Sequence, residues 1–227
     1  MEMPVYIIGD IHGKFEKLMF LIKDTGIRDC YLICVGDLGI GFQDNYYKEH
    51  RTIARLNDFF SHRDIKFMSI RGNHDDPDYF IGGGRINLDN FELIEDYTYK
   101  TINDQQYLFV GGAVSIDRRI RSLNKNYWEK ELFVLKPELI EKSDVLITHS
   151  TPLWIGPFDK AGIFSWCEKD SKLWDLCVKE REDVGQLVKL SQPSKVYFGH
   201  FHISEIKSHG DCQGRILNEL EILEHRK

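Results

Sequence analysis

At 227 residues, with 42% hydrophobic and 29% charged side chains, the chain is long enough to bury a sizeable core and has the composition of a globular domain. Its formal net charge of −6 excludes general nucleic-acid coating, which favours a basic surface, but leaves a small nucleotide open as a ligand. No run is apolar and long enough to span a bilayer, and no charged leader precedes an apolar stretch, so a cytoplasmic protein without a membrane partner is expected.

Val5–Ile8 is a short apolar run ending at Gly9, which predicts a buried strand entering a turn. Phe15, Leu18, Met19 and Ile22 recur at helical spacing, with Gly26 as the stop. Tyr31–Val35 predicts a second buried strand and Lys66–Ile70 a third. Between them Tyr46, Ile53, Leu56 and Phe60 predict an amphipathic helix over Asn45–Phe60. The opening half thus reads β-α-β-α-β, the pattern of a parallel α/β unit. Gly82–Gly84 reads as a hinge or loop. Phe91–Ile94, Tyr97–Ile102 and Tyr107–Val110 lie close enough together to predict hairpin-like antiparallel pairing. Asp144–Ile147 and Lys195–Phe198 are two further apolar strands. A tryptophan-rich loop (Trp154, Trp166, Trp174) and a helix around Glu180–Leu190 separate them. Ile203–Ile206 and Arg215–Leu220 are expected to close the chain as strands. No repeat or linker interrupts it, so residues 1–227 are expected to form one α/β domain. The five cysteines are odd in number and match no zinc-ribbon spacing, which fits reduced thiols.

Five of these strands end alike. Gly9-Asp10-Ile11-His12-Gly13, Gly36-Asp37, Gly72-Asn73-His74-Asp75, Thr148-His149 and Gly199-His200-Phe201-His202 each follow an apolar run. Singly they are bland, since a Gly-Asp after a strand is commonly just a turn. As an ordered set they are metal-type ligands at strand ends. In open α/β sheets ligands bind beyond the carboxyl ends of strands. Asp10, His12, Asp37, Asn73, His149, His200 and His202 are therefore expected to converge. They are too many for one ion, which suggests two metals and hydrolysis of a phosphate ester. The mixed oxygen and nitrogen donors suit two divalent ions, Mn first, with Fe, Zn, Co or Ni as alternatives.

In this order the motifs resemble the calcineurin-like metallophosphoesterase superfamily, whose pattern is Asp-x-His, Gly-Asp, Gly-Asn-His-Asp/Glu, His and Gly-His-x-His. The resemblance covers Gly9 to His202. It implies a four-layer α-β-β-α sandwich with two central mixed sheets and the metals at their top. It also implies one metal on Asp10, His12 and His202, a second on Asn73, His149 and His200, and Asp37 bridging both. A hydroxide bridging the metals would attack the phosphorus in line. His74 would act as general acid or stabilise phosphoryl charge, and Asp75 would orient His74 by a hydrogen bond. The expected substrate is a small phosphomonoester, a nucleotide or a cyclic phosphodiester. A serine/threonine-type phosphoprotein phosphatase, a nuclease and a non-catalytic scaffold on the same fold are the alternatives.

The segment after Asp37 (Gly36-Asp37-Leu38-Gly39-Ile40-Gly41-Phe42) lacks the Asp-Arg pair of the phosphoprotein branch, although Arg71 before Gly72-Asn73 echoes it. Gly111-Gly112-Ala113-Val114-Ser115-Ile116-Asp117 resembles a bacterial and phage branch. The basic residues that follow, Arg118, Arg119 and Arg121, are candidates to meet substrate phosphate, as is Arg71. The stretch Trp154–Trp174 is expected to serve packing or a dimer patch, with a lid that stacks a nucleobase as the alternative. His50, His62, His209 and His225 match no motif and are expected at the surface.

Overall fold

A computed structural model describes residues 2–42, 46–82, 86–157 and 162–226. The strands are β1 (Val5–Ile8), β2 (Cys30–Cys34), β3 (Ile65–Ser69), β4 (Phe91–Leu93), β5 (Thr98–Ile102), β6 (Gln105–Val110), β7 (Val145–Thr148), β8 (Lys195–Phe198), β9 (Glu205–His209), β10 (Cys212–Ile216) and β11 (Ile222–His225). The helices are α1 (Phe15–Thr25), α2 (Tyr46–Ser61), α3 (Ile163–Cys167) and α4 (Leu173–Ser191).

Two mixed sheets result. The first has the order β11-β1-β2-β3-β4, parallel except for β11. The second has the order β5-β6-β7-β8-β10-β9, parallel in its centre with antiparallel β5 and β9 at the edges. Side-chain alternation explains the layering, because successive residues of a strand face opposite ways. Ile7, Ile33 and Met68 of the first sheet meet Tyr107, Phe109, Ile147 and Tyr197 of the second in a shared core. Their neighbours Ile8, Leu32, Cys34 and Phe67 turn outward to Leu18, Ile22, Ile53 and Phe60 of α1 and α2. Leu108, Leu146, Val196 and Phe198 likewise turn to Val184, Leu187 and Val188 of α4. Helices, sheet, sheet and helix form the expected four-layer α-β-β-α sandwich.

The five motif-bearing strands and both long helices lie close to their expected positions; α4 starts earlier, at Leu173. Three expectations are corrected. Phe91–Leu93 does not join the hairpin: β4 pairs parallel with β3, and only β5 and β6 pair antiparallel. The chain changes sheets at Asp96, whose carboxylate accepts from Gly111 N–H and from Arg71. The C-terminal strands shift to Glu205–His209 and Cys212–Ile216, and a third, β11, returns to pair with β1 (Val5 opposite His225). The residues between β10 and β11 cross from one sheet to the other, so the apolar run at 215–220 is not one strand. The tryptophan-rich loop is partly helical: Trp166 lies in α3 and Trp174 in α4. Of the expected hinge at Gly82–Gly84, only Gly82 falls within the described residues, in a turn. Among the described residues no helix is long and apolar enough to cross a membrane.

Candidate metal centre

Parallel strands β1, β2, β3, β7 and β8 point their carboxyl ends the same way. The turns that follow carry Asp10 and His12, Asp37, Asn73 and His74, His149, and His200 and His202. Backbone bonds tie the turns together. Ile11 N–H and His12 N–H both donate to the Asp37 carbonyl, at 3.0 and 2.8 Å. Four of these residues hold left-handed backbone conformations: His12 (φ 48°), Asp37 (φ 50°), His200 (φ 64°) and His202 (φ 47°). Such non-glycine residues are uncommon and cluster at functional sites. Glycines make the closure possible by close approach. A Cβ on Gly72 would lie 2.0 Å from Asp37 Oδ1, and one on Gly199 would lie 2.1 Å from Asp10 Oδ1.

Two groups of ligand-type atoms result, each with its members within 4.8 Å of one another: Asp10, His12, Asp37 and His202, and Asp37, His149 and His200. Asp37 belongs to both. In the first group His12 Nε2 faces His202 Nε2 at 2.9 Å, and His202 Nε2 lies 2.9 Å from Asp10 Oδ2. In the second, His149 Nε2 lies 3.2 Å from Asp37 Oδ1 and 3.3 Å from Asn73 Oδ1. His200 Nδ1 lies 2.9 Å from the same Asn73 oxygen. The Val35 carbonyl accepts from His149 Nδ1 at 2.8 Å, which aims Nε2 inward. Imidazole nitrogens and carboxylate oxygens thus converge with their lone pairs on common points, a donor set that fits divalent cations.

The electrostatics point the same way. Burial alone would lower the pKa of His149, but the Asp37 carboxylate against it, with Asp10 nearby, pushes it up to about 10. Burial would raise Asp37, yet His149, His74 and His12 around it hold it well below the usual carboxylate range. His200 is driven well below its ordinary value by burial and by the neighbouring His149 charge. Asp37 thus tips the balance to positive charge at His149 alone, while burial favours the neutral rings of His12 and His200.

Asp75 does not contact the His74 ring. Its carboxylate accepts the backbone N–H groups of Gly72 (2.8 Å), Gly39 (2.8 Å), Ile40 (3.0 Å) and Leu38 (3.2 Å). It pins the Asp37 turn to the Asn73 turn. His74 is placed instead by its own N–H donating to Asp37 Oδ1 (2.7 Å), by Phe42 stacked at 5.5 Å, and by Arg121. Arg121 Nη2 lies 2.8 Å from His74 Nε2. A guanidinium only donates, so His74 Nε2 accepts there. Burial, opposed by Asp37 and reinforced by Arg121, lowers His74 to about 4.

Of the candidate arginines, only Arg121 reaches the site. Arg71 is buried behind it, with Nε and Nη2 on Asp96 (3.0 and 2.7 Å) and its Nη groups on the Lys130, Glu131 and Leu132 carbonyls. All five of its N–H groups are used, which corrects its reading as a substrate contact. Gly112 hugs this guanidinium, since a Cβ there would lie 2.6 Å from Arg71 Nη1. Arg118 is likewise taken, donating to Asp170 Oδ2 at 2.6 Å, and Arg119 points to the same carboxylate from an exposed position. His225 is not at the surface either. It is buried, with Tyr197 Oη 2.8 Å from its Nδ1 and Gln105 Oε1 3.0 Å from its Nε2. His50 is half-buried, while His62 and His209 are exposed.

Sequence reasoning missed the support of Asn73. Asn73 Nδ2 donates to Ser115 Oγ at 3.0 Å, and Ser115 Oγ donates to buried Glu131, whose other oxygen accepts from Trp128 N–H at 3.0 Å. This chain fixes which way the amide points and so which atom faces His149 and His200. The sequence signal for it is Ser115, the hydroxyl residue inside the Gly111–Asp117 segment. Glu219 was also missed. It pairs with Lys14, and its Oε1 lies 3.7 Å from His202 Nδ1 at the rim of the first group.

Residues 3–204 match the family model described as calcineurin-like phosphoesterase. Solved structures share the fold. TT1561 from Thermus thermophilus superposes with a TM-score of 0.58 at 16% identity, over 96% of this chain and 90% of that one. Phosphopantetheinyl hydrolase (PptH) from Mycobacterium tuberculosis does so with 0.51 at 14% identity, over 96% and 90%. No curated protein sequence matches.

Proposed function

We propose that this chain, which belongs to the calcineurin-like phosphoesterase family, is a two-metal phosphoester hydrolase acting on a small phosphorylated substrate. The observation that carries the reading is Asp37, which is shared by two groups of convergent ligand-type side chains. Asp10, His12, Asp37 and His202 would hold one divalent ion. Asp37, Asn73, His149 and His200 would hold the other. When bound, such a pair supplies Lewis acidity, lowering the pKa of water toward neutrality and offsetting phosphoryl charge.

The protein's own groups do the rest. The Val35 carbonyl and the Ser115–Asn73 bond set the directions of His149 and Asn73, so the donors are aimed before any ion arrives. The Arg121 guanidinium lies beside His74, where a phosphoryl oxygen would be drawn. Once substrate draws Arg121 Nη2 away, a tautomer shift of the neutral His74 ring would move its proton from Nδ1 to Nε2, where it can donate to the phosphoryl or leaving oxygen. Metal analysis and hydrolysis of p-nitrophenyl phosphate and its bis-ester by Mn-loaded protein test the proposal. Close to two metals per chain, with turnover of at least one ester, is expected. Well under one metal and no turnover would overturn it.

A further inference from the structure

Beside the metal-type groups the protein has a cleft of about 330 Å³. Asp37, Asn73, His74, His200 and Arg121 line it together with a wall of different chemistry, made of Ile116, Ile163, Trp166, Trp174, Val178 and Phe201. The wall is assembled from separate parts of the chain. Ile116 follows β6, Ile163 and Trp166 belong to α3, and Trp174 and Val178 belong to α4, while Phe201 stands between the two histidines of the last motif. Its side chains pack on one another: Ile163 and Leu173 are buried at its base, with Ile116, Trp166 and Trp174 against them.

Most polar groups bordering this wall are already engaged, and Glu180 Oε2 is buried with no hydrogen-bond partner among the described residues. Arg181 directs its Nη atoms at the carbonyls of Pro152, Ile155, Gly156 and Pro157. Glu180 accepts from Ser150 at 2.6 Å. Asp117 is ion-paired with Arg121 at 2.7 Å. A sugar or nucleobase carries more polar atoms than this wall can match, and the polar groups left unpaired would weigh heavily against binding. An aromatic or branched hydrocarbon would lose nothing of the kind and would gain the aromatic wall. The volume is at the low end for small-molecule sites, which suits one or two fused rings.

We propose that the substrate is a phosphate monoester of a small apolar or aromatic alcohol, with its hydrocarbon part held by the Ile116–Trp174 wall and its phosphate beside Arg121 and Asp37. This rests on the phosphoesterase reading and narrows it. Nucleotides and sugar phosphates become poor substrates, although both carry the same reacting group.

The test uses esters of primary alcohols, whose leaving groups are alike, so that differences report the cleft. Mn-loaded protein is compared on ethyl phosphate, 2-(1-naphthyl)ethyl phosphate and adenosine 5′-phosphate. The naphthyl ester is expected to exceed both others in kcat/KM by at least about tenfold. Val178→Glu, which sets a charge in the wall, and Trp174→Ala are each expected to shrink that ratio severalfold. Equal turnover of all three esters, or preference for the nucleotide, overturns the inference while the phosphoesterase reading stands. If no ester is hydrolysed, the phosphoesterase reading fails, and 2-(1-naphthyl)ethylphosphonate still probes the cleft. Saturable quenching of tryptophan emission, weakened about tenfold in Val178→Glu, supports the apolar wall. No saturable quenching overturns it.

Discussion

The two sheets contribute unlike halves of the site. The first supplies the oxygen donors, Asp10, Asp37 and Asn73, with His12 beside them. The second supplies imidazoles only: His149, His200 and His202. Neither half is a binding site alone. The acids would repel one another without cations, and the buried histidines would have nothing to offset a charge. Packing through the Ile7–Phe109 core sets Asp37 against His149, and the opposite shifts of those two groups record that contact. The site is thus a product of the sheet–sheet interface, and its integrity is coupled to the core beneath it.

The largest effect should come from the one residue common to both groups. Asp37→Asn is expected to lower hydrolysis by at least about a thousandfold and to deplete both ions. His202→Ala, which touches only the first group, should leave about one ion per chain by native mass spectrometry. Two ions retained in the Asp37 variant, with hydrolysis within tenfold of wild type, would contradict a bridging role. Gly199→Ala comes next. Its Cβ would stand 2.1 Å from Asp10 Oδ1, so the second-sheet turn would have to retreat from the first-sheet acid. A loss of about a hundredfold in activity is expected, with stability reduced by roughly 1–3 kcal/mol. Unaltered metal content and turnover would show that the turns close with more freedom than their contacts imply.

A milder break separates the halves at Asn73. Ser115 comes from the turn region after β6 of the second sheet, yet it holds the amide of a first-sheet residue. Ser115→Ala should lower metal affinity or activity by about 10–100-fold, the range found for groups that orient ligands. Measured by metal titration, a change below twofold would mean that the ions themselves suffice to orient Asn73.

How much of this could be read from the sequence follows the same division. Strand-end residues were legible because buried runs ending in Gly-Asp or Gly-His-x-His mark both a strand and the direction of its end. The roles of Asp75, Arg71 and Arg118 were not, because a charged residue next to a motif looks the same whether it faces ligand or backbone. Asp75 accepts four N–H groups from two turns that are distant in sequence, and Arg71 spends its fork on carbonyls some sixty residues on. Only tertiary structure brings those partners together. β11 was missed for a related reason. Four residues carry little periodic signal, and their strand identity comes from pairing with β1 at the other end of the chain.

The smallest effect distinguishes a support from a site group. Arg118 and Asp170 tie the segment after β6 to the approach of α4, on the second-sheet side, with side chains 13% and 1% exposed. The Arg118 guanidinium, against the opposing effect of burial, lowers the Asp170 pKa below its ordinary value. A carboxylate depressed in the folded state contributes stability above its unfolded pKa of about 3.9, and loses it as pH falls through the lower folded value. Asp170→Asn should therefore cost about 2 kcal/mol in urea unfolding at neutral pH, and the gap to wild type should narrow only below about pH 4. Asp96 poses the first-sheet counterpart, since it faces an Arg71 whose remaining N–H groups are on carbonyls, so Asp96→Asn leaves a buried cation still hydrogen-bonded but without its counter-ion. If Asp170→Asn instead lost the same stability at about pH 3 as at pH 7, the tie would be one of shape and hydrogen bonding, and charge would be organising only the half of the molecule that carries the acids.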